Sequence, residues 1–172
     1  MMEAQGMIST VRIRSARAVL LAGLALVAGC GPQKKSVFPP AVTLQQVSAK
    51  ATGPWHVTLR LRNNSYGGMS FETLRGTLRV GDLGGVLLDA RIDQDIPSFA
   101  ADVTTIDILP TPEMSKALAA LAAKGSSGAL PYTIDGQVTA TPEKEKASRA
   151  FEVRGNNWLS PVPGIPDTYR SP

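Results

Sequence analysis

The chain has 172 residues, 43% of them hydrophobic and 19% charged, a globular balance that excludes a disordered chain. A single cysteine excludes an intramolecular disulfide. The net charge of +4 falls to +2 once a leader holding Arg12, Arg14, Arg17 and Glu3 is removed, so the basic balance is no signal for an acidic partner.

Residues 11–17 (VRIRSAR) are basic, residues 18–28 (AVLLAGLALVA) are an unbroken apolar run, and the small residues Ala28 and Gly29 precede Cys30. This order is that of a secretory signal, and the run is shorter than the roughly 20 residues a membrane-spanning helix needs. Val27-Ala28-Gly29-Cys30 resembles the lipobox of bacterial lipoproteins, which implies lipid attachment to the Cys30 thiol and cleavage just before it. Removing 29 of 172 residues leaves a mature chain of 143. Several acyl chains would hold it stably at a membrane, where one binds only marginally. Gly31 in place of an aspartate favours the outer membrane, facing the periplasm, as the expected location. Residues 30–40, with Gly31 to Pro40 reading GPQKKSVFPP, form the lipidated N-terminus and a short extended tether.

From Val42 the dominant period is two, the mark of half-buried strands. Val42, Leu44 and Val47 belong to a first strand. In a second, Trp55, Val57, Leu59 and Leu61 alternate with His56, Thr58, Arg60 and Arg62, and Asn63-Asn64-Ser65 with Gly67-Gly68 makes a turn. A third strand, Met69 to Val80, changes phase near Thr73, which a β-bulge explains. Gly81 to Gly85 turns into a fourth strand over Val86 to Ile92, and a fifth covers Val103 to Leu109. Residues 111–125 shift to a helical period, with Thr111 as cap, Pro112 in the first turn, Met114, Ala117, Leu118 and Leu121 on one face, and Gly125 as the stop. Strands return at Tyr132 to Ala140 and at Phe151 to Gly155, separated by a charged turn over residues 141–148. Residues 157–172 read as a proline-rich, aperiodic tail carrying Trp158, Ile165 and Tyr169. The expected fold is an all-β sandwich of immunoglobulin-like or fibronectin type III-like architecture, about seven strands and one short helix over residues 41–156.

Candidate chemistry is sparse. The one histidine, His56, falls on the solvent face of its strand, whereas triads and zinc sites need several converging partners. Asp89, Asp93 and Asp95 suggest a cation loop, but an EF-hand counted from Asp93 would carry Gly and Glu where Ser98 and Thr104 stand. Arg60, Arg62, Arg75 and Arg79 would form a basic stripe if the second and third strands paired, one suited to anionic headgroups or cell-wall polymers; without interleaved aromatics it does not suit nucleic acid. The Gly81 to Gly85 run lacks the spacing and following helix of a phosphate loop, and no Gly-x-Ser-x-Gly elbow is present.

Residues 42–155 resemble the late embryogenesis abundant type 2 family, also described as the water stress and hypersensitive response domain. The likeness lies in Val42-Thr43-Leu44, Trp55 to Leu61 with its Asn63 turn, Leu74-Arg75-Gly76-Thr77-Leu78, Tyr132-Thr133-Ile134-Asp135-Gly136 and Phe151-Glu152-Val153-Arg154-Gly155. The family's Asn-Pro-Asn turn is here Asn63-Asn64-Ser65, which keeps only the first asparagine. The resemblance implies a sandwich fold, no enzymatic activity and a protective role under desiccation or other stress; no cofactor is expected. Membrane attachment through lipid and an envelope protein partner docked on the tail are the expected associations; no nucleic-acid partner is expected.

Overall fold

The computed structural model describes residues 35–50 and 52–172; the leader and Cys30 lie outside the described residues. Among these residues eight strands are present: β1 (Ala41–Ser48), β2 (Trp55–Arg62), β3 (Met69–Val80), β4 (Val86–Ile96), β5 (Ala101–Ile108), β6 (Leu130–Pro142), β7 (Arg149–Pro161) and β8 (Thr168–Arg170). One α-helix among the described residues, α1 (Pro112–Ala123), and a 3-10 turn (Gly125–Ser127) interrupt them between β5 and β6.

The clearest alternation in the sequence becomes the most regular strand. Trp55, Val57, Leu59 and Leu61 of β2 are buried, while His56, Arg60 and Arg62 face solvent. The phase change in β3 is a bulge at Glu72: the register with both neighbours shifts between Phe71 and Thr73, so Met69 and Phe71 enter the core on one parity and Leu74, Leu78 and Val80 on the other. Asp93 answers it in β4 with a φ of 49°. Without the bulge, half of β3 would turn its apolar side chains to water. The helix starts and stops where its residues dictate. Thr111 accepts the Met114 amide at 3.2 Å, Pro112 sits in the first turn, and Gly125 takes the left-handed φ of +63° just past the end. Met114, Leu118 and Leu121 are the face it buries.

All pairings are antiparallel, in the order β4-β3-β6-β7-β8-β1-β2-β5. The sheet folds over into two layers, β4-β3-β6-β7 and β8-β1-β2-β5, joined where Ser160 and Pro161 of β7 pair with β8. Their inward side chains form one shared core. The free edges nearly meet: the Gln94 side-chain amide of β4 donates to the Val103 carbonyl of β5 at 3.0 Å. Over the described residues the fold is thus all-β with one short helix, a sandwich close to a closed barrel, with eight strands where about seven were expected. The extra strand, β8, comes from the stretch read as an aperiodic tail, and β7 also runs six residues past Gly155 to Pro161.

Two further contacts tie the layers together. Tyr132 of β6, 1% exposed, reaches through the core to Leu44 of β1, accepting its N–H and donating to its carbonyl, both at 3.1 Å. Where β7 passes β1, Gly155 lies so close that a Cβ there would sit 2.3 Å from the Val42 carbonyl oxygen.

Candidate functional surface

The sequence candidates fall at separate places. His56 stands opposite Asp107 in the β2–β5 ladder, its Nδ1 2.5 Å from the Asp107 carboxylate, with both side chains about half open to water. An exposed pair of this kind is worth roughly 0–1 kcal/mol. Asp89, Asp93 and Asp95 do not converge on a cation: Asp89 faces Arg75, Asp93 takes the Arg91 Nε at 2.5 Å, and Asp95 accepts the Ser70 hydroxyl. The arginine stripe is not formed. β2 pairs only with β1 and β5, and β3 only with β4 and β6, because the β2–β3 connection is an arch between layers instead of a hairpin. Arg60 and Arg62 therefore lie on one layer and Arg75 and Arg79 on the other, with Arg79 bonded to Asp135 at 3.0 Å. Cys30, the expected lipidation residue, lies outside the described residues.

One end of the sandwich is more organised than any of these candidates. It gathers the segment entering β1, the β2–β3 arch, the β4–β5 turn and the β6–β7 turn. At its centre Asn63 is fully buried. Its Nδ2 donates toward the carbonyls of Gly67, Ile96 and Pro97 at 2.8, 3.0 and 3.1 Å, and its Oδ1 accepts the Ser65 amide at 2.9 Å. The Asn63 amide completes the hub by donating to Ala100. A buried carboxamide satisfied on both sides locks the arch and the β4–β5 turn into one unit.

The entry segment is stitched onto that unit. The Ser65 hydroxyl accepts the Phe38 amide at 2.9 Å and donates to the Phe38 carbonyl at 3.1 Å; the Asn64 side chain donates to Pro39, and the Tyr66 amide to Ser36. Lys35 reaches Glu143 at 2.8 Å, and Glu143 also accepts the Gly68 amide at 3.0 Å. The Lys35 hydrogen bond, and after it the Gly68 amide, hold the Glu143 carboxyl below the usual carboxylate range. The tether read from residues 30–40 is therefore docked from Lys35 onward, and Lys35–Pro172 forms one compact unit.

On the outside of this hub three rings lie together in the open, Tyr66 between Phe38 and Phe99. Phe38, Tyr66 and Phe99 are 45%, 58% and 53% exposed, with centroid separations of 6.2 Å for Phe38–Tyr66 and 4.9 Å for the edge-on Tyr66–Phe99 pair. Phe99 has a φ of 56°, unusual for a bulky residue. Sequence reasoning missed this patch because each ring comes from a different loop and none belongs to a period. An open cleft of about 400 Å³ beside it is lined by Ser70, Asp95, Ile96, Glu143 and Lys144.

The opposite end holds a cleft of about 410 Å³ between α1 and the strands, lined by Lys50, Trp55, Leu118, Asp167 and Tyr169. The Tyr169 hydroxyl donates to the Leu118 carbonyl at 3.0 Å, and burial, then nearby Asp167, pushes that phenol up. Trp158 on β7 and Ile165 in the β7–β8 loop are exposed.

No family model and no curated protein matches the chain. Similar solved structures include the structural-genomics target SoR45, 13% identical over 73% of this chain and 87% of that one, with a TM-score of 0.42. A protein from Archaeoglobus fulgidus is 8% identical over 74% and 100% of the two chains, with a TM-score of 0.33. A solution structure described as a candidate late embryogenesis abundant protein is 12% identical over 88% and 90%, with a TM-score of 0.37. Likenesses this loose decide nothing beyond what the strand pairings give directly.

Proposed function

We propose that the mature chain is a non-catalytic, lipid-anchored envelope protein, attached at Cys30 to the outer membrane on its periplasmic side, whose late embryogenesis abundant type 2-like sandwich stabilises envelope components under desiccation or related stress. The observation that carries the anchoring is the run of basic, apolar and lipobox residues ending at Cys30, five positions before a segment stitched to the body through Lys35, Ser36, Phe38 and Pro39. The residue likenesses at β1, β2, β3, β6 and β7 support the protective role. The lone histidine, spent on one exposed aspartate, supports a binding or shielding role over catalysis.

The test is a deletion strain dried and rehydrated beside strains carrying the wild-type chain or Cys30→Ala. Envelope leakage should rise on deletion, be restored by the wild type and not by Cys30→Ala, whose product should run as an unlipidated precursor by mass. Equal leakage in all strains would remove the protective reading; an unchanged mass and membrane fraction for Cys30→Ala would remove the anchor.

Exposed Trp158 and Ile165 favour a second reading, an accessory subunit that docks an envelope protein through this part of the chain. A photo-crosslinker at position 158 should then trap one discrete species, and labelling at background level would dismiss it.

A further inference from the structure

We infer that the Phe38–Tyr66–Phe99 patch is a membrane-seating surface, inserting at the headgroup boundary of the bilayer that holds the lipid anchor; this rests on the lipidation of Cys30 proposed above. Of nine aromatic residues in the chain, these three meet at one end with about half of each side chain open to water. The hub holds them in place from below: Phe38 is pinned at its N–H and carbonyl by Ser65, and Tyr66 through Ser36. The Asn63 bonds to Ile96 and Pro97 fix the turn that carries Phe99.

Chain geometry selects the lipid as occupant. Lys35, where the docked segment begins, lies five residues after Cys30, and five extended residues span at most about 18 Å. The eight-residue strand β1 is about 26 Å long, and β7 is longer still, so the far end, with α1 and its cleft, lies beyond the reach of the anchor. The end within reach is the one that presents the rings. Phenyl rings with a tyrosine hydroxyl among them match the region where apolar tails meet headgroups. The charges around the patch are mixed: Lys35, Glu143, Lys144, Glu145 and Lys146 share this end, with Lys35 already paired to Glu143. The seating is therefore by apolar insertion, with little dependence on anionic lipid.

Lipidation consumes the only native thiol, so a spin label attached after Tyr66→Cys reports that position alone. The mature lipoprotein would be placed in phosphatidylethanolamine vesicles and compared with a label at Leu87→Cys on the hairpin at the far end, a residue 81% exposed. The label at 66 should show oxygen accessibility several-fold higher, relative to a water-soluble nickel chelate, than the label at 87. Phe99→Asn, which suits a positive φ, should abolish the difference while leaving the thermal melt in place. Equal, water-like accessibility at both positions overturns the inference, as does burial of the label at 66 from both reagents, which would mark a protein occupant. A parallel arm holds a Cys30→Ser chain to chelator vesicles by an N-terminal His tag. Mass analysis reports lipidation separately, so insertion at 66 in this arm with an unmodified Cys30 in the native chain would sink the anchor and keep the patch.

Discussion

Replacing Tyr132 by Phe isolates a hydrogen-bonding group that reaches across the core. The ring stays, so no apolar area is uncovered and no cavity is made; only the hydroxyl is lost. That hydroxyl serves the N–H and the carbonyl of Leu44 together, each at 3.1 Å, and lies 3.3 Å from the Ser171 hydroxyl. Leu44 sits where the β1–β2 register shifts, at the point where β1 is least tied to its ladder. Stranding a buried donor or acceptor costs about 1–3 kcal/mol, so two stranded groups should cost about 2–4 kcal/mol after partial relaxation. Against a total stability of roughly 5–15 kcal/mol, this is a large share. Guanidinium denaturation of the purified protein should show a lower midpoint at unchanged slope, and the melting temperature should fall by some 2–4 °C for each kcal/mol lost. Tyr169→Phe is the comparison: its hydroxyl makes a single bond to the Leu118 carbonyl, so the loss should be about 1 kcal/mol. A Tyr132→Phe penalty under about 0.5 kcal/mol, or one no larger than that of Tyr169→Phe, would show that the through-core bond does not hold the layers.

Three further outcomes are expected. Gly155→Ala should destabilise by about 1–3 kcal/mol in the same denaturation experiment, because its Cβ would lie 2.3 Å from the Val42 oxygen and the strands must part to admit it; a neutral effect would mean that β7 and β1 yield freely. Asn63→Ala should cost about 2–4 kcal/mol by stranding buried groups of Ser65, Gly67 and Ile96, whereas Asn64→Ala, at a half-buried residue with one bond to the Pro39 carbonyl, should cost under about 1 kcal/mol; equal losses would contradict the hub. The Glu143 carboxyl titrates below its unfolded value of 4.5, so its contribution to holding the entry segment is complete above that pH and drains away as pH falls through the lower folded value. Exchange of the Tyr66 amide, normalised to intrinsic rates, should speed up on acidification below about pH 4.5 in the wild type and show no such step in Glu143→Gln; parallel profiles would exclude the latch.

Much of the body is legible from local chemistry. β2 needs only the alternation Trp55 to Arg62, the bulge needs only the parity conflict between Phe71 and Leu74, and α1 needs Thr111, Pro112 and Gly125. What local patterns do not carry is which strands become neighbours. The Asn63 turn looks like a hairpin turn, and a hairpin would have aligned Arg60 and Arg62 with Arg75 and Arg79. The buried Asn63 amide instead reaches residues more than thirty positions on, a contact with no periodic trace. β8 is equally hidden: three residues after a proline-rich loop show no alternation, and Thr168–Arg170 becomes a strand because β1 and the end of β7 offer it ladder partners.

The same arch explains how the ends of the molecule come to differ. A hairpin between β2 and β3 would have closed residues 63–68 into a local turn within one layer, with no room for a second loop beneath it. An arch between layers opens a gap that a polar side chain must fill, and Asn63 does so by recruiting the carbonyls of the β4–β5 turn. Once those loops are one unit, Ser65 and Asn64 present a row of groups on which an incoming chain docks, as Phe38 and Pro39 do. The rings of Phe38, Tyr66 and Phe99 are then left outward, on a hub whose centre is held by amides and carbonyls. Exposure of the aromatic patch and rigidity of the entry segment thus have one cause, and a change that loosens Asn63 should loosen both together.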